Sequence, residues 1–235
     1  MASVQEVAEQ TTAALVGERE KAVALHDYVR DTVAFGFNRR FEAGSPQYVL
    51  SCRVGHCNPK SQLLVTLLRA AGFEAHQHFV AISSHILKGV FPAPQSWTLI
   101  PEVSHSYVDV EVEGTWCAVD SFSIDTPLLN AAQAQLTAEG RALGYGVRSD
   151  STNIWDGQSD AFSQFSPAIM IEDHGRIDDL EAYFSSRQYR NRLFGIRFNT
   201  LIGLLGQLYV GPINANLNRL RSGRWQASAK QPHAA

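Results

Sequence analysis

The stretch "SHSYVDVEVEGTWCAVDSF", from Ser104 to Phe122, constrains this chain more than any other, because only one pairing register makes physical sense of it. Glu113-Gly114 reads as a two-residue hairpin loop joining two strands. Val112 then opposes Thr115, Val110 opposes Cys117 and Val108 opposes Val119, which makes one apolar face for a core layer to press against. The other face carries His105, Tyr107, Asp109 and Glu111 from the first strand, with Trp116, Ala118, Asp120 and Phe122 from the second. A slip of one residue would bury Asp120 among the valines, at a cost on the order of several kcal/mol. The alternation therefore selects the pairing in which His105 lies diagonally across from Asp120, within reach of an imidazole and a carboxylate.

A second stretch supplies a partner for that pair. In "RVGHCNPKSQLLVTLLRAAGFEAH", Cys57 stands directly before Asn-Pro at the mouth of a helix that carries Leu63, Leu64, Leu67, Leu68 and Ala71 and stops at Gly72. Pro59 fits the first turn, where a missing N–H breaks no helical hydrogen bond. Leucines around much of the circumference predict a central, buried helix. At a helix start the backbone N–H groups point outward and the dipole favours negative charge, which suits a thiolate nucleophile. The other two cysteines read differently: Cys117 falls with the valines as a small buried hydrophobe, and Cys52 reads as structural.

Cys57, His105 and Asp120 thus form a candidate nucleophile, base and orienter. An imidazole can take the thiol proton and return it to a leaving group, while a carboxylate fixes the tautomer. The backbone N–H of Cys57 can face the developing oxyanion, with Gln47 or Tyr48 as weak candidates for a second donor. His56 is either a second acid/base or a loop residue, and the loop reading is preferred. A metal site from Cys52, His56 and Cys57, with His76 or His78, is disfavoured because Cys-x-x-x-His-Cys is not a zinc spacing. The expectation is no metal and no cofactor.

The remaining text places these parts. A helical zone runs from about Val4 to Val33 with a break at Gly17, and His26 on it reads as a structural histidine. "FEAHQHFVAIS" reads as a strand, residues 123–166 as loop with a short helix around "NAAQAQLTAEGRAL", and "IDDLEAYFSSRQYRNRLFGIRFNTLIGLLGQLYV" as helices. "FNTLIGLLGQLYVGPI" is too short to span a bilayer and is expected to be a buried helix, with a membrane-surface or partner-facing role as the minority reading. Arg187, Arg190, Arg192 and Arg197 read as a solvated surface ahead of a cationic face for an acidic partner. A net charge of −3 with dispersed basic residues argues against a nucleic-acid partner. Three cysteines and no signal-peptide pattern at the N-terminus point to a reduced, cytoplasmic chain.

The two motifs together resemble the transglutaminase-like superfamily of papain-type thiol enzymes. "RVGHCNPKSQLLVTLLRAAGFEAH" is similar to that family's Gly-x-Cys, Leu-rich helix, Arg-Ala-x-Gly and strand. "HSYVDVEVEGTWCAVD" is similar to its His strand, turn with Trp, and Val-Asp strand, and "EKAVALHDYVRDTVAFGF" to the helix leading into the domain. The resemblance covers about Glu18 to Phe122 and implies Cys57 as nucleophile, His105 as base and Asp120 as orienter. It implies an α+β fold, a papain/transglutaminase-like core with a central helix packed on an antiparallel sheet, here followed by C-terminal helices. No calcium cluster is evident, unlike in the calcium-gated animal enzymes. The expected organisation is a catalytic core over residues 1–125, a loop and helical extension over 126–225 packed on it, and a disordered tail over 226–235. The extension could cover the cleft, mediate dimerisation or dock an acyl-carrier or other protein partner. The expected activity is acyl transfer from a peptide, amide or thioester substrate through a Cys57 acyl-enzyme, most simply to water as in a cysteine protease or amidase. The alternatives are transfer to an amine, making an amide, cross-link or ring, and a catalytically idle binding module.

Overall fold

A computed structural model describes residues 2–93 and 95–223. The tail expected over 226–235 lies outside the described residues. The chain opens with α1 (Val4–Thr12) and α2 (Glu18–Thr32), and Gly17 forms the break between them. Ser3 and Glu6 close a reciprocal capping box at the start of α1. Then come β1 (Ala34–Phe35), α3 (Pro46–Cys52), β2 (Val54–Gly55) and α4 (Cys57–Ala70). The sheet strands β3 (Ala75–Ser83), β4 (Glu102–Val112) and β5 (Thr115–Val119) follow. The remainder holds α5 (Thr126–Glu139), β6 (Leu143–Gly144), β7 (Val147–Arg148), β8 (Met170–Arg176), α6 (Leu180–Ser185), β9 (Arg192–Leu193), β10 (Ile196–Arg197), α7 (Phe198–Leu205) and α8 (Gln207–Arg221).

The architecture is α+β, with an antiparallel sheet in the order β5-β4-β3-β8 and α4 packed on one face. The hairpin adopts the register its alternation demands, Val112 opposite Thr115, Val110 opposite Cys117 and Val108 opposite Val119. Glu113 and Gly114 both take positive φ, +51° and +79°, as a two-residue turn between right-twisted strands requires. Val108, Val110, Cys117 and Val119 meet Leu63, Leu64, Leu67 and Leu68 of α4 in one core, closed from the other side by α1 and α2. Each of the four leucines is fully buried, worth about 1.5–3 kcal/mol apiece.

Phe122 departs from the expected alternation and joins the α4 side of the core. The strand stops at Val119. Asp120 (φ −129°, ψ 2°) then opens a short 3-10 turn over Ser121–Ser123, and a turn of three residues per revolution cancels the period of two.

Three features beyond residue 123 also differ from expectation. The helix α5 begins at Thr126, ahead of the segment foreseen, because Asp125 caps it by accepting from the Leu128 N–H and Pro127 occupies its first turn. The sequence "MIEDHGR" forms β8, a fourth sheet strand with two register shifts against β3. Its charged, irregular text gives no alternation to read, as is common for an edge strand that must not recruit another chain. Finally, the stretch expected as helices also holds a short hairpin and a glycine break. Phe194 and Gly195, at φ +50° and +79°, turn β9 into β10, and Gly206 (φ +52°, ψ −131°) separates α7 from α8. The supposed buried helix is therefore split: Ile202 and Val210 are buried, whereas Leu204, Leu205 and Leu208 are exposed.

A second core joins the C-terminal helices to the segment around β1 and to α5, with Ile202, Ile213 and Leu217 clustered with Phe35, Phe37 and Leu128. Arg221 near the end of α8 grips the Asp125 carboxylate through Nε and Nη2 at 2.8 Å each and donates to the Phe35 carbonyl at 2.9 Å.

Lys60 lies wholly buried on α4, its ammonium donating to the Val33 carbonyl at 2.6 Å. Burial drives its pKa down from 10.5 to about 7, against the attraction of Asp125. The unfolded chain keeps this proton up to about pH 10.5 and the folded chain loses it near pH 7. The cost of burying the ammonium is thus full below pH 7 and is relieved as pH rises from 7 to 10.5. Lys60→Met removes the titration. Compared by urea unfolding, the wild type should gain roughly 2–4 kcal/mol relative to Lys60→Met between about pH 7 and pH 10. A pH-independent difference would refute this account of Lys60.

Candidate active site

Cys57 is the first residue of α4, and the chain reaches it through β2 and an extended His56 at the N-cap (φ −88°, ψ −172°). Gly55 makes the close entry possible: a Cβ there would stand 3.2 Å from Cγ of Lys60 and 3.4 Å from Cγ1 of Val49. Parallel pairing of β1 with β2, Phe35 beside Gly55, fixes the approach. The thiol is half-buried and contacts the Asn58 side-chain oxygen at 3.4 Å.

His105 reaches the same place from β4, before the hairpin pairing begins, and is almost completely buried. Its Nε2 meets the Asp120 carboxylate at 2.9 Å, which leaves Nδ1 for the sulfur. Burial by itself would depress the imidazole's pKa. The charge of Cys57 and hydrogen bonds to Asp120 and Cys57 outweigh it and push the ring up to about 10. Cys57 and His105 line one cavity, and Asp120 lies directly behind the ring.

Asp120 is fully buried yet well satisfied. Besides the imidazole, it accepts from the backbone N–H groups of Ser163 (2.5 Å), Gln164 (3.1 Å) and Phe165 (2.7 Å) and from the Ser163 hydroxyl (3.1 Å). Burial would raise its pKa, but the His105 hydrogen bond and charge and these backbone donors hold it below the ordinary carboxylate range.

The structure brings His56 to the cavity as well, and keeps the other two weak candidates away. His56 stacks against Phe37 and Phe41, with ring centroids 5.3 and 4.4 Å apart, and its Nε2 faces Glu42 at 3.5 Å. Gln47 instead clips the N-terminus, accepting from the Val4 N–H and donating to the Ala2 carbonyl. Tyr48 lies under the Arg40 guanidinium, 4.5 Å from its ring centroid. Neither lines the cavity, which corrects their expected role as oxyanion donors. Cys52 donates to the Val49 and Val54 carbonyls, and His78 sits between Asp109 and Asp173. Among the described residues no group of three His, Cys, Asp or Glu side chains converges as a metal site.

Glu42, Asn58, Ser104, Tyr189 and Asn191 also belong to this region, and sequence reasoning passed over them. The buried Glu42 accepts from Asn191 Nδ2 at 2.7 Å, from Asn58 Nδ2 and from the Tyr189 hydroxyl. Asn58 and Asn191 also donate to the Ser104 carbonyl, each at 3.2 Å. One carboxylate therefore braces the residue after Cys57 and the residue before His105. These positions share no spacing, and the only hint was an isolated Glu in "RRFEAGSP".

The cavity beside the sulfur measures about 690 Å³ including its open mouth. Phe35, Phe37, Phe41 and Phe91 form one side, Ile82 and Val103 another, and Phe198, Ile202 and Tyr209 from α7 and α8 complete the wall.

A family model of the transglutaminase-like superfamily matches residues 5–121. Over that span the chain belongs to the transglutaminase-like superfamily. This membership supports a thiol enzyme in general terms. No curated protein is significantly similar in sequence. Two solved structures share parts of the chain at low similarity. A candidate cysteine protease from Cytophaga hutchinsonii is 18% identical with a TM-score of 0.38, over 49% of this chain and 35% of that one. A candidate protease from Parabacteroides distasonis is 17% identical with a TM-score of 0.34, over 49% and 22%. The chain thus spans about a third or less of those proteins' length. No helix among the described residues is long and apolar enough to cross a membrane.

Glu42→Ala would remove the acceptor shared by Asn58, Asn191, Tyr189 and the His56 ring. It should lower unfolding free energy in urea by about 2–4 kcal/mol, whereas exposed Glu181→Ala should stay within about 0.5 kcal/mol. Equal effects of the two would contradict the bracing role of Glu42.

Proposed function

We propose that this superfamily member is a thiol-dependent acyl-transfer enzyme acting on a peptide, amide or thioester carbonyl, with Cys57 as nucleophile, His105 as acid and base, and Asp120 as orienter. The observation that carries the reading is a helix-start thiol paired with an imidazole whose far nitrogen is held by a buried, fully hydrogen-bonded carboxylate. Cys57 attacks as the thiolate, with its proton on the imidazole. A C–S bond forms to the carbonyl carbon, and the oxygen takes up negative charge near the helix start, where the Cys57 N–H is the natural donor. The imidazolium gives its proton to the leaving nitrogen as the C–N bond breaks, and a thioester remains. Water then attacks with His105 as base, which returns the thiol and releases a carboxylic acid.

Transfer to an amine is the second reading, favoured by the apolar walls beside the sulfur. Such walls limit the water that can compete for the thioester. Product analysis by mass spectrometry, with and without an added primary amine, separates hydrolysis from amide formation.

Near neutral pH, iodoacetamide should alkylate Cys57 faster than Cys52 or Cys117, whose thiols burial pushes up. His105→Ala should slow Cys57 alkylation and substrate turnover by about 10²-fold or more. Leaving-group protonation requires imidazolium, and His105 keeps its proton well above the ordinary imidazole range. The alkaline limb of kcat/KM should therefore fall toward pH 10 rather than near 6.5, and Asp120→Asn should move it down. Cys57 reacting no faster than the other two thiols would overturn the enzymatic reading in favour of a binding module.

A further inference from the structure

Two residues of the cavity lining each hold a buried polar atom that the proposed chemistry does not use. Gln164 and His56 are both buried, at 2% and 5% exposure, and both line the cavity. The Gln164 amide is oriented by its Nε2, which donates to the Gly146 carbonyl at 2.8 Å, so Oε1 is the atom left over. In His56, Nε2 faces the Glu42 side chain at 3.5 Å, so Nδ1 is the ring nitrogen left over. Among the described residues neither Gln164 Oε1 nor His56 Nδ1 has a hydrogen-bond partner. Orphaned buried acceptors are costly, and a bound group that brings N–H donors removes that cost. By contrast, Thr98 and Tyr209, also on the wall, satisfy each other at 2.6 Å.

Beyond these and Cys57, His105, Ser104 and Asn191, the lining is aromatic and aliphatic. Among the described residues no Lys, Arg, Asp or Glu lines the cavity, so none of them would compensate a charged side chain. Shape and polarity thus call for an apolar body next to a carbonyl, with amide hydrogens at its edge.

We propose that the cavity binds the acyl side of the substrate as a hydrophobic aminoacyl group bearing an amide N–H, such as an N-acylated leucine or phenylalanine residue of a peptide. Gln164 and His56 are the acceptors that distinguish it from a plain fatty or arylalkanoyl chain. The inference rests on Cys57 being the nucleophile. The step it selects is the one above: a C–S bond forms at the residue's carbonyl, the bond to the leaving group breaks, and the imidazolium proton leaves with that group.

The test acylates the full-length protein with ethyl thioesters, which release ethanethiol, and follows the Cys57 adduct by rapid-quench mass spectrometry. N-acetyl-phenylalanine and N-acetyl-leucine donors should react roughly 10- to 100-fold faster than N-acetyl-glycine or N-acetyl-aspartate donors. The 3-phenylpropanoyl donor, which lacks the amide, and the N-methyl-N-acetyl-phenylalanine donor, which lacks its hydrogen, should each react about tenfold or more slower than N-acetyl-phenylalanine. Gln164→Met should shrink that gap while keeping the preference for apolar over glycyl donors. Ile202→Trp should slow the phenylalanyl donor more than the glycyl one. Normal iodoacetamide alkylation of Cys57 with no preference among the donors overturns this inference alone. So does a 3-phenylpropanoyl donor as fast as N-acetyl-phenylalanine. A Cys57 inert to iodoacetamide overturns the nucleophile assignment and this inference with it. The wild-type donor series decides the matter even if a variant does not fold.

Discussion

Asp120 ends one strand, opens a 3-10 turn, holds the imidazole, and gathers three consecutive backbone N–H groups from residues 163–165. A carboxylate with no access to water survives only with such a shell, because burying it bare would cost far more than the fold can spare. The shell is what draws the long segment after residue 123 back over the sheet. The Ala161 carbonyl accepts from the N–H groups of Asp120 and Ser121, and its own N–H donates to Ala118, so the returning chain is laced along the end of β5. The imidazole's orientation and the docking of the extension are thus consequences of the same charge.

A second carboxylate does the same work on the far side of the thiol. Glu42 ties Asn58 after Cys57, Tyr189 and Asn191 from the extension, and through the two asparagines the Ser104 carbonyl before His105. Cys57 and His105 come from different elements, α4 and β4, and fixing the flanking residues of both is the economical way to hold a sulfur and a ring in register. Neither buried acid lines the cavity itself; each holds residues that do, and the largely apolar wall strengthens the charge interactions around it.

The apolar residues of α7 illustrate how a local reading can be half right. Phe198 and Ile202 face the cavity and Leu204, Leu205 and Leu208 face outward, because Gly206 breaks the helix before a single stripe can be sustained. Apolarity in the text gave the helix but not which side of it would be covered.

The sequence by itself determined the central hairpin, its register and the leucine-rich helix, because strand alternation and helical periodicity are local and the penalty for misplacing Asp120 leaves one answer. It also brought Cys57, His105 and Asp120 to attention as a set, although the register accounts only for the last two. Tertiary structure alone decided the rest. Glu42, Tyr189 and Asn191 come together through contacts spanning more than a hundred residues, with no periodicity to announce them, and β8 adds to the sheet with text too polar to alternate. Gln47 and Tyr48, close to Cys57 in the chain, lie elsewhere because α3 turns its exposed face to the N-terminus and to Arg40. Neighbours in sequence are fixed by covalent spacing, whereas neighbours in the cavity are fixed by which buried charges must be satisfied, and that is settled only when the whole chain has packed.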